Sequence, residues 1–288
     1  MNLAPILFVA LWSTGFVGAK YGLPYADPFI FLAIRVTIAA IILYLVSALM
    51  SGRKKLTRRE ISLSALVGTT LHFAYLGGVF FGISQGVPAG IAATVTSLQP
   101  ILVSAIGVRF LKERVTARQV AGLLCGFAGV ALVLSPAFSS TSSMTTAGVG
   151  AVFIALGGST TATLVQKRNG GNIPLVPATA LQYIVSGCLF IVAAWVTDGF
   201  HVEWSGKFIL ALGWLVIALS VGAILILLTL LKKGSAARVS SLFYLVPPAT
   251  AIEAYFLFGE KLSAIDFAGI ALTALGVFLV IRNQSRVQ

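Results

Sequence analysis

The chain has 288 residues, of which 58% are apolar before glycine is counted and only 10% are charged. A soluble domain carries about 45–50% apolar residues with glycine included and about 25% charged ones, so this composition excludes a water-soluble core and specifies an integral membrane protein. Its 20 Lys and Arg against 8 Asp and Glu leave a net charge of +12, which in such a chain points to cationic loops at a membrane rather than to nucleic acid.

A bilayer core about 30 Å thick needs about 20 apolar residues per helix. Cutting at charge clusters and Pro/Gly punctuation predicts ten spans, over residues 3–20, 28–50, 61–83, 88–108, 117–135, 147–166, 175–197, 208–231, 236–258 and 264–282. The first, within MNLAPILFVALWSTGFVGAK, lacks a basic leader and an A-x-A site, so it is expected to be a retained span. It carries Trp12 inside and Lys20 at its outer end.

The second span holds Arg35 in FLAIRVTIAAIIL. Its helix begins near Pro28, so the guanidinium branches off roughly 10 Å below the outer surface. Snorkelling to the headgroups, pairing with Glu253 at similar depth, and binding a substrate carboxylate are the three readings of it. In the third span His72 lies roughly 17 Å deep, at 1.5 Å per residue, and shares a helical face with Gly68, Tyr75 and Val79. It is either a neutral histidine bonded to a neighbouring carbonyl or a cavity-facing donor, acceptor or proton carrier.

Pro100 in the fourth span follows Thr94, Ser97 and Gln99, and Pro247 and Pro248 in the ninth follow Ser240, Ser241 and Tyr244. These prolines are expected to kink their helices, which either frees carbonyls beside polar cavity walls or serves packing alone. The fifth and tenth spans carry Gly122, Gly126, Gly129, Gly269 and Gly276 with no internal charge, the pattern of closely packed scaffold helices. Trp195 and Trp204 fall where an interfacial belt is expected, whereas Trp12 and Trp214 sit inside helices as packing rings or cavity walls. Cys125 and Cys188 lie in apolar runs and are expected to be small buried hydrophobes.

Charge tests the topology. With a cytoplasmic N-terminus, sixteen Lys and Arg fall on inner segments, and only Lys20, Lys207 and Lys261 fall outside. That bias places both termini in the cytoplasm.

The stretch ERVTARQVAGLLCGFAGVALVL (113–134) aligns with EKLSAIDFAGIALTALGVFLVI (260–281), with identities at Glu113/Glu260, Gly122/Gly269 and Gly129/Gly276 among others. The same offset of 147 pairs Lys20 with Lys167, Arg35 with Gln182, and Pro100 with Pro247. Five spans per copy would turn the second copy upside down. The organisation expected is a first repeat over 1–135, an uncharged outer linker over 136–147 and an inverted second repeat over 148–288. Inverted repeats with a site between them are the common architecture of secondary transporters.

These features resemble the EamA-type branch of the drug/metabolite transporter superfamily. The carriers are LWSTGFVGAK, FLAIRVTIAAIIL and the paired P…E-[RK]-x-[TS]-A…G segments that end each half. The resemblance implies ten helices in two inverted five-helix repeats, a central cavity lined mainly by spans other than the fifth and tenth, and export across the bacterial inner membrane. The sequence looks similar to the amino-acid exporters of that branch, those for aromatic amino acids among them.

The expected protein is therefore an all-α exporter of amino acids or related small metabolites working by alternating access, the alternative being efflux of cationic or aromatic drugs. Its partners are a small-molecule substrate and the bilayer, as a monomer or a homodimer. No cofactor is called for, and no nucleotide-binding loop is visible. Rings of like charge that would mark a channel are not visible, nor are the clustered Asp, Glu, His or Cys of an enzyme. The residues expected on the cavity are Trp12, Arg35, His72, Tyr75, Thr94, Ser97, Gln99, Gln182, Trp214 and Tyr244, with Lys20 and Glu253 as gating or pairing charges.

Overall fold

A computed structural model describes residues 4–49, 55–111, 117–135, 144–169, 173–223, 226, 245–260 and 263–284. Among these residues every regular element is helical, apart from one isolated bridge between Ala26 and Val202. In chain order they are α1 (Ala4–Gly22), α2 (Pro28–Leu49), α3 (Arg58–Ser84), α4 (Ala89–Thr96), α5 (Gln99–Leu111) and α6 (Ala117–Leu134). There follow α7 (Thr146–Asn169), α8 (Leu175–Val196), α9 (Gly206–Ala223), α10 (Val246–Phe258) and α11 (Ala264–Gln284).

Six of these are long and apolar enough to cross a membrane: α1, α2, α3, α7, α8 and α9. Ala89–Val103, Val120–Leu134 and Ala264–Leu279 are shorter apolar helical stretches. Large apolar side chains stand on the outer surface, among them Leu49, Ile217 and Phe256, the last 78% exposed. Facing water they would drive aggregation, whereas lipid makes them neutral. Trp195 and Trp204 are exposed too, and Cys188 faces outward rather than into the core.

The predicted fourth span is not one kinked helix. It breaks at a turn over Ser97 and Leu98 into α4 and α5, and Pro100 lies in the first turn of α5. A proline there loses no hydrogen bond, because first-turn N–H groups have no intrahelical partner. Pro247 likewise stands in the first turn of α10, with Pro248 next to it. Pro100 therefore begins a helix instead of bending one.

Helix bounds recur at a constant distance along the chain. Pro28–Leu49 and Leu175–Val196 are each 22 residues long and begin 147 residues apart, and Gln99–Leu111 and Val246–Phe258 are each 13 residues long at the same separation. Two π-helical segments also obey it: Gly68–Leu76 in the middle of α3 and Leu215–Ala223 at the end of α9. Such wide turns are rare and cluster at functional sites.

Helices at matching positions pack on each other, α2 against α8 and α6 against α11. In the second pair the backbones nearly touch. A Cβ at Gly276 would lie 2.5 Å from the Gly122 carbonyl oxygen, and one at Gly129 would lie 2.6 Å from that of Gly269. The glycines predicted to permit close packing sit in that seam. Gly276→Leu is expected to split it, because neither backbone can move aside, and to cost at least the 1–3 kcal/mol typical of overpacking. Thermal unfolding of the purified variant in detergent checks this, and an unchanged melting temperature would contradict it.

The connection between α1 and α2 is clipped to the one between α8 and α9. The Asp27 N–H donates to the His201 carbonyl at 3.0 Å, the His201 N–H returns to Asp27 Oδ2 at 2.9 Å, and the Glu203 N–H donates to the Tyr25 carbonyl at 2.7 Å. The other ends are set locally: Thr57 and Glu60 form a capping box that starts α3.

Candidate functional site

A cavity lies between α1, α2, α3, α8 and α9. Its walls are Trp12, Gly15 and Phe16 from α1, Arg35 from α2, and Leu71, His72, Tyr75, Leu76, Val79 and Phe80 from α3. Tyr183 from α8 and Leu219 and Ser220 from α9 complete them. None of these residues belongs to α6 or α11, in keeping with a scaffold role for that pair.

Arg35 is 4% exposed, so it does not snorkel. Its Nε–H donates to Ser220 Oγ at 3.2 Å, and its guanidinium lies 5.8 Å from the centre of the Phe80 ring. The Ser220 carbonyl accepts from the Tyr183 hydroxyl at 3.4 Å. The Trp12 indole hydrogen-bonds the Tyr75 hydroxyl.

His72 is buried, and the neighbouring carbonyl it bonds is that of the Gln182 side-chain amide. Nε2 lies 3.1 Å from Gln182 Oε1, and since an amide oxygen only accepts, Nε2 carries the proton. The ring packs against Tyr183 with centroids 4.4 Å apart. Gly68, one turn earlier, lets α3 approach α8 closely: a Cβ there would meet the Gln182 carbonyl oxygen at 2.7 Å.

The two contacts are related. Arg35 and Gln182 hold matching positions on α2 and α8, 147 residues apart. Arg35 reaches Ser220 in the π-helical segment of α9, and Gln182 meets His72 in that of α3. Each bond joins the first 135 residues to the part of the chain beyond 146.

Pairing of Arg35 with Glu253, expected from their similar depth, is not made in this structure. Glu253 Oε1 accepts from Ser13 Oγ at 2.6 Å on the α1 side of α10. The cause is azimuth: α2 packs on α8 and α9, while α10 packs on α1 and α4. Lys20 is paired instead with Glu260, and its ammonium lies 4.9 Å from the centre of the Phe258 ring. Glu253→Gln keeps an oxygen for Ser13 and is expected to change stability by less than about 1 kcal/mol and to leave transport largely intact. Chemical denaturation and transport rates of that variant check both; loss of transport would place Glu253 in the transport path.

Other expected cavity residues stand elsewhere. Thr94 is fully buried and donates to the Gly90 carbonyl at 2.7 Å, and Ser97 donates to that of Thr94 at 2.7 Å, so both hydroxyls are spent on the α4 backbone. Gln99 ties the start of α5 to Ser159 and Thr163 of α7. Trp214 is 45% exposed and donates to Thr14 Oγ1 at 2.9 Å, because Leu219 and Ser220 hold the cavity face of α9. Tyr244, Ser240 and Ser241 lie outside the described residues. Sequence reasoning missed Phe16, Phe80, Tyr183 and Ser220. Phe80, two helical turns beyond His72, was within reach of the same face pattern; Ser220 carried no signal.

The profile of the EamA-like transporter family matches residues 2–135 and again residues 146–282. The chain belongs to the EamA-like transporter family. Its relatives include an uncharacterized transporter, YvbV, of Bacillus subtilis, 27% identical over 97% of this chain and 90% of that protein. A probable amino-acid metabolite efflux pump of Escherichia coli is 24% identical over 95% of this chain and 92% of its own length. A crystal structure of a protein 19% identical superposes with a TM-score of 0.66 over 100% of this chain and 98% of that one, a likeness of fold alone. This EamA-like transporter is thus a multi-pass membrane protein and not an enzyme.

Proposed function

We propose that this EamA-like transporter exports amino acids or related small metabolites across the bacterial inner membrane by alternating access. In this reading it has ten spans in two inverted five-helix repeats, over 1–135 and 148–288, with an outer linker over 136–147 and both termini cytoplasmic. The observation that carries it is the pair of contacts at the cavity between the first and second parts of the chain, Arg35 to Ser220 and Gln182 to His72, made from matching helices to matching π-helical segments.

Two halves joined through such contacts around one site are what rocking requires. The constant 147-residue separation of helix bounds and the twofold family match support the repeat. The positive-inside bias supports the orientation. Aromatic walls with few polar groups suit an amphiphilic solute, and relatives named as amino-acid metabolite efflux pumps support that substrate class. Trp12, Arg35, His72 and Tyr75 would contact substrate, with Gln182 holding His72 in place. Efflux of cationic drugs is disfavoured, because the single charged side chain on the described walls is a cation.

The test is counterflow in proteoliposomes. Protein in vesicles loaded with unlabelled amino acids should accumulate labelled amino acid transiently, neutral and aromatic ones ahead of acidic ones. Flux without counterflow would indicate a channel, and movement of inorganic ions or nucleotide sugars alone would remove the substrate class.

A further inference from the structure

Seven of the chain's eight acidic residues are among the described ones, and none of the seven lines the cavity. Asp27 is bonded in the outer clip, where Glu203 also lies, and Asp198 occupies the turn after α8. Glu60 caps α3 and Asp266 caps α11, with its Oδ2 accepting from the Ser263 N–H at 2.8 Å. Glu260 is paired with Lys20, and Glu253 is bonded to Ser13. Glu113 lies outside the described residues, between Lys112 and Arg114 in sequence.

Arg35 is therefore a buried cation with no carboxylate among the described residues to neutralise it. An unpaired charge in a lipid-spanning bundle persists where function needs it. Ser220 takes Nε and Phe80 lies against the guanidinium, so the two Nη groups have no hydrogen-bond partner among the described residues. A guanidinium fork is the group that holds a carboxylate bidentately.

We infer that the cavity selects an organic carboxylate whose bearer has no free ammonium, an apolar or aromatic monoanion rather than a zwitterion. This rests on the proposed export reading and narrows its substrate class to the related metabolites. A carboxylate supplies the counter-charge that the protein withholds, and Trp12, Phe16 and Phe80 supply walls for an apolar body.

An α-ammonium fits badly beside it. It would sit within a few ångströms of the guanidinium with the same sign, and its three N–H donors need acceptors. The acceptors named on the walls each already receive one hydrogen bond, Ser220 Oγ from Arg35, the Ser220 carbonyl from Tyr183 and the Tyr75 hydroxyl from Trp12, so an ammonium would compete for their second lone pairs. His72 Nδ1 is the ring nitrogen left to accept, since Nε2 faces Gln182.

The test is calorimetric titration of the purified full-length protein with a matched set: 3-phenylpropionate, L-phenylalanine, 2-phenylethylamine and 3-phenylpropanamide. The expected order is 3-phenylpropionate at least tenfold tighter than phenylalanine, with the amide weaker and the amine not bound. Arg35→Gln should bring the acid down to the level of the amide. This variant should fold, because it removes a buried charge and glutamine is the residue at the matching position 182; a retained melting temperature verifies that.

Phenylalanine binding as tightly as the acid, or an acid preference that survives Arg35→Gln, overturns the inference while leaving the export reading in place. If no member of the set binds and proteoliposomes show no counterflow of amino acids or of these acids, the export reading itself falls.

Discussion

Arg35→Gln is expected to bring export in proteoliposomes to near background while the protein becomes no less stable. The combination is diagnostic. A cation in the bilayer interior costs on the order of 2–3 kcal/mol even on lenient insertion scales, and this one has no acidic partner among the described residues to offset that. Removing it loses the bond to Ser220, a partner that stays hydroxylated and next to the open cavity. Melting temperature should hold or rise. Arg35→Lys should keep the charge and lose the fork, so about a tenth of the rate or less is expected. Counterflow rates normalised to incorporated protein, read beside thermal melts, decide it. Wild-type transport by Arg35→Gln would reduce the side chain to a tolerated burden, and a collapsed melting temperature would make it a structural residue.

Trp12, Arg35, His72 and Tyr75 were legible because each is out of place in an apolar span, and polarity in lipid needs a cause. Distance along a helix can be reckoned from sequence, since a helix rises by a constant amount per residue. Azimuth between helices cannot. Arg35 and Glu253 were expected at similar depth, yet α2 packs on α8 and α9 while α10 packs on α1, and neither direction is written in the chain. Ser220 was silent because a serine in an apolar helix usually bonds its own backbone, as Thr94 and Ser97 do here. Pro100 misled for a related reason: the residue type marks a break, and whether the break is a bend or a helix start depends on the turn before it, here Ser97 and Leu98.

The scaffold was the most readable part, because a glycine without a Cβ has one evident use between crowded helices. Gly129, Gly269 and Gly276 stand where Gly-rich spacing put them. The π-helical segments had no local signature. They emerge only from backbone geometry, yet they fall at matching positions, 68–76 and 215–223, as the offset of 147 requires. A widened turn loosens the side-chain register without breaking the helix, and both segments contribute walls to the cavity.

The contact between His72 and Gln182 gives the last expected result. His72→Ala and Gln182→Ala should each lower export several-fold, and the double variant should be no slower than the slower single. Either single change strands a buried polar group, costing about 1–3 kcal/mol, whereas the double change removes both partners together. Non-additivity of about 1 kcal/mol or more is the expected coupling. His72→Gln keeps a donor for the Gln182 oxygen and should recover part of the rate. Initial counterflow rates of the wild type and the four variants, taken from pH 5 to 8, carry the test. Additive losses would show that the residues act separately, and unchanged rates throughout would make the bond packing between α3 and α8, with the work of joining the halves left to Arg35 and Ser220.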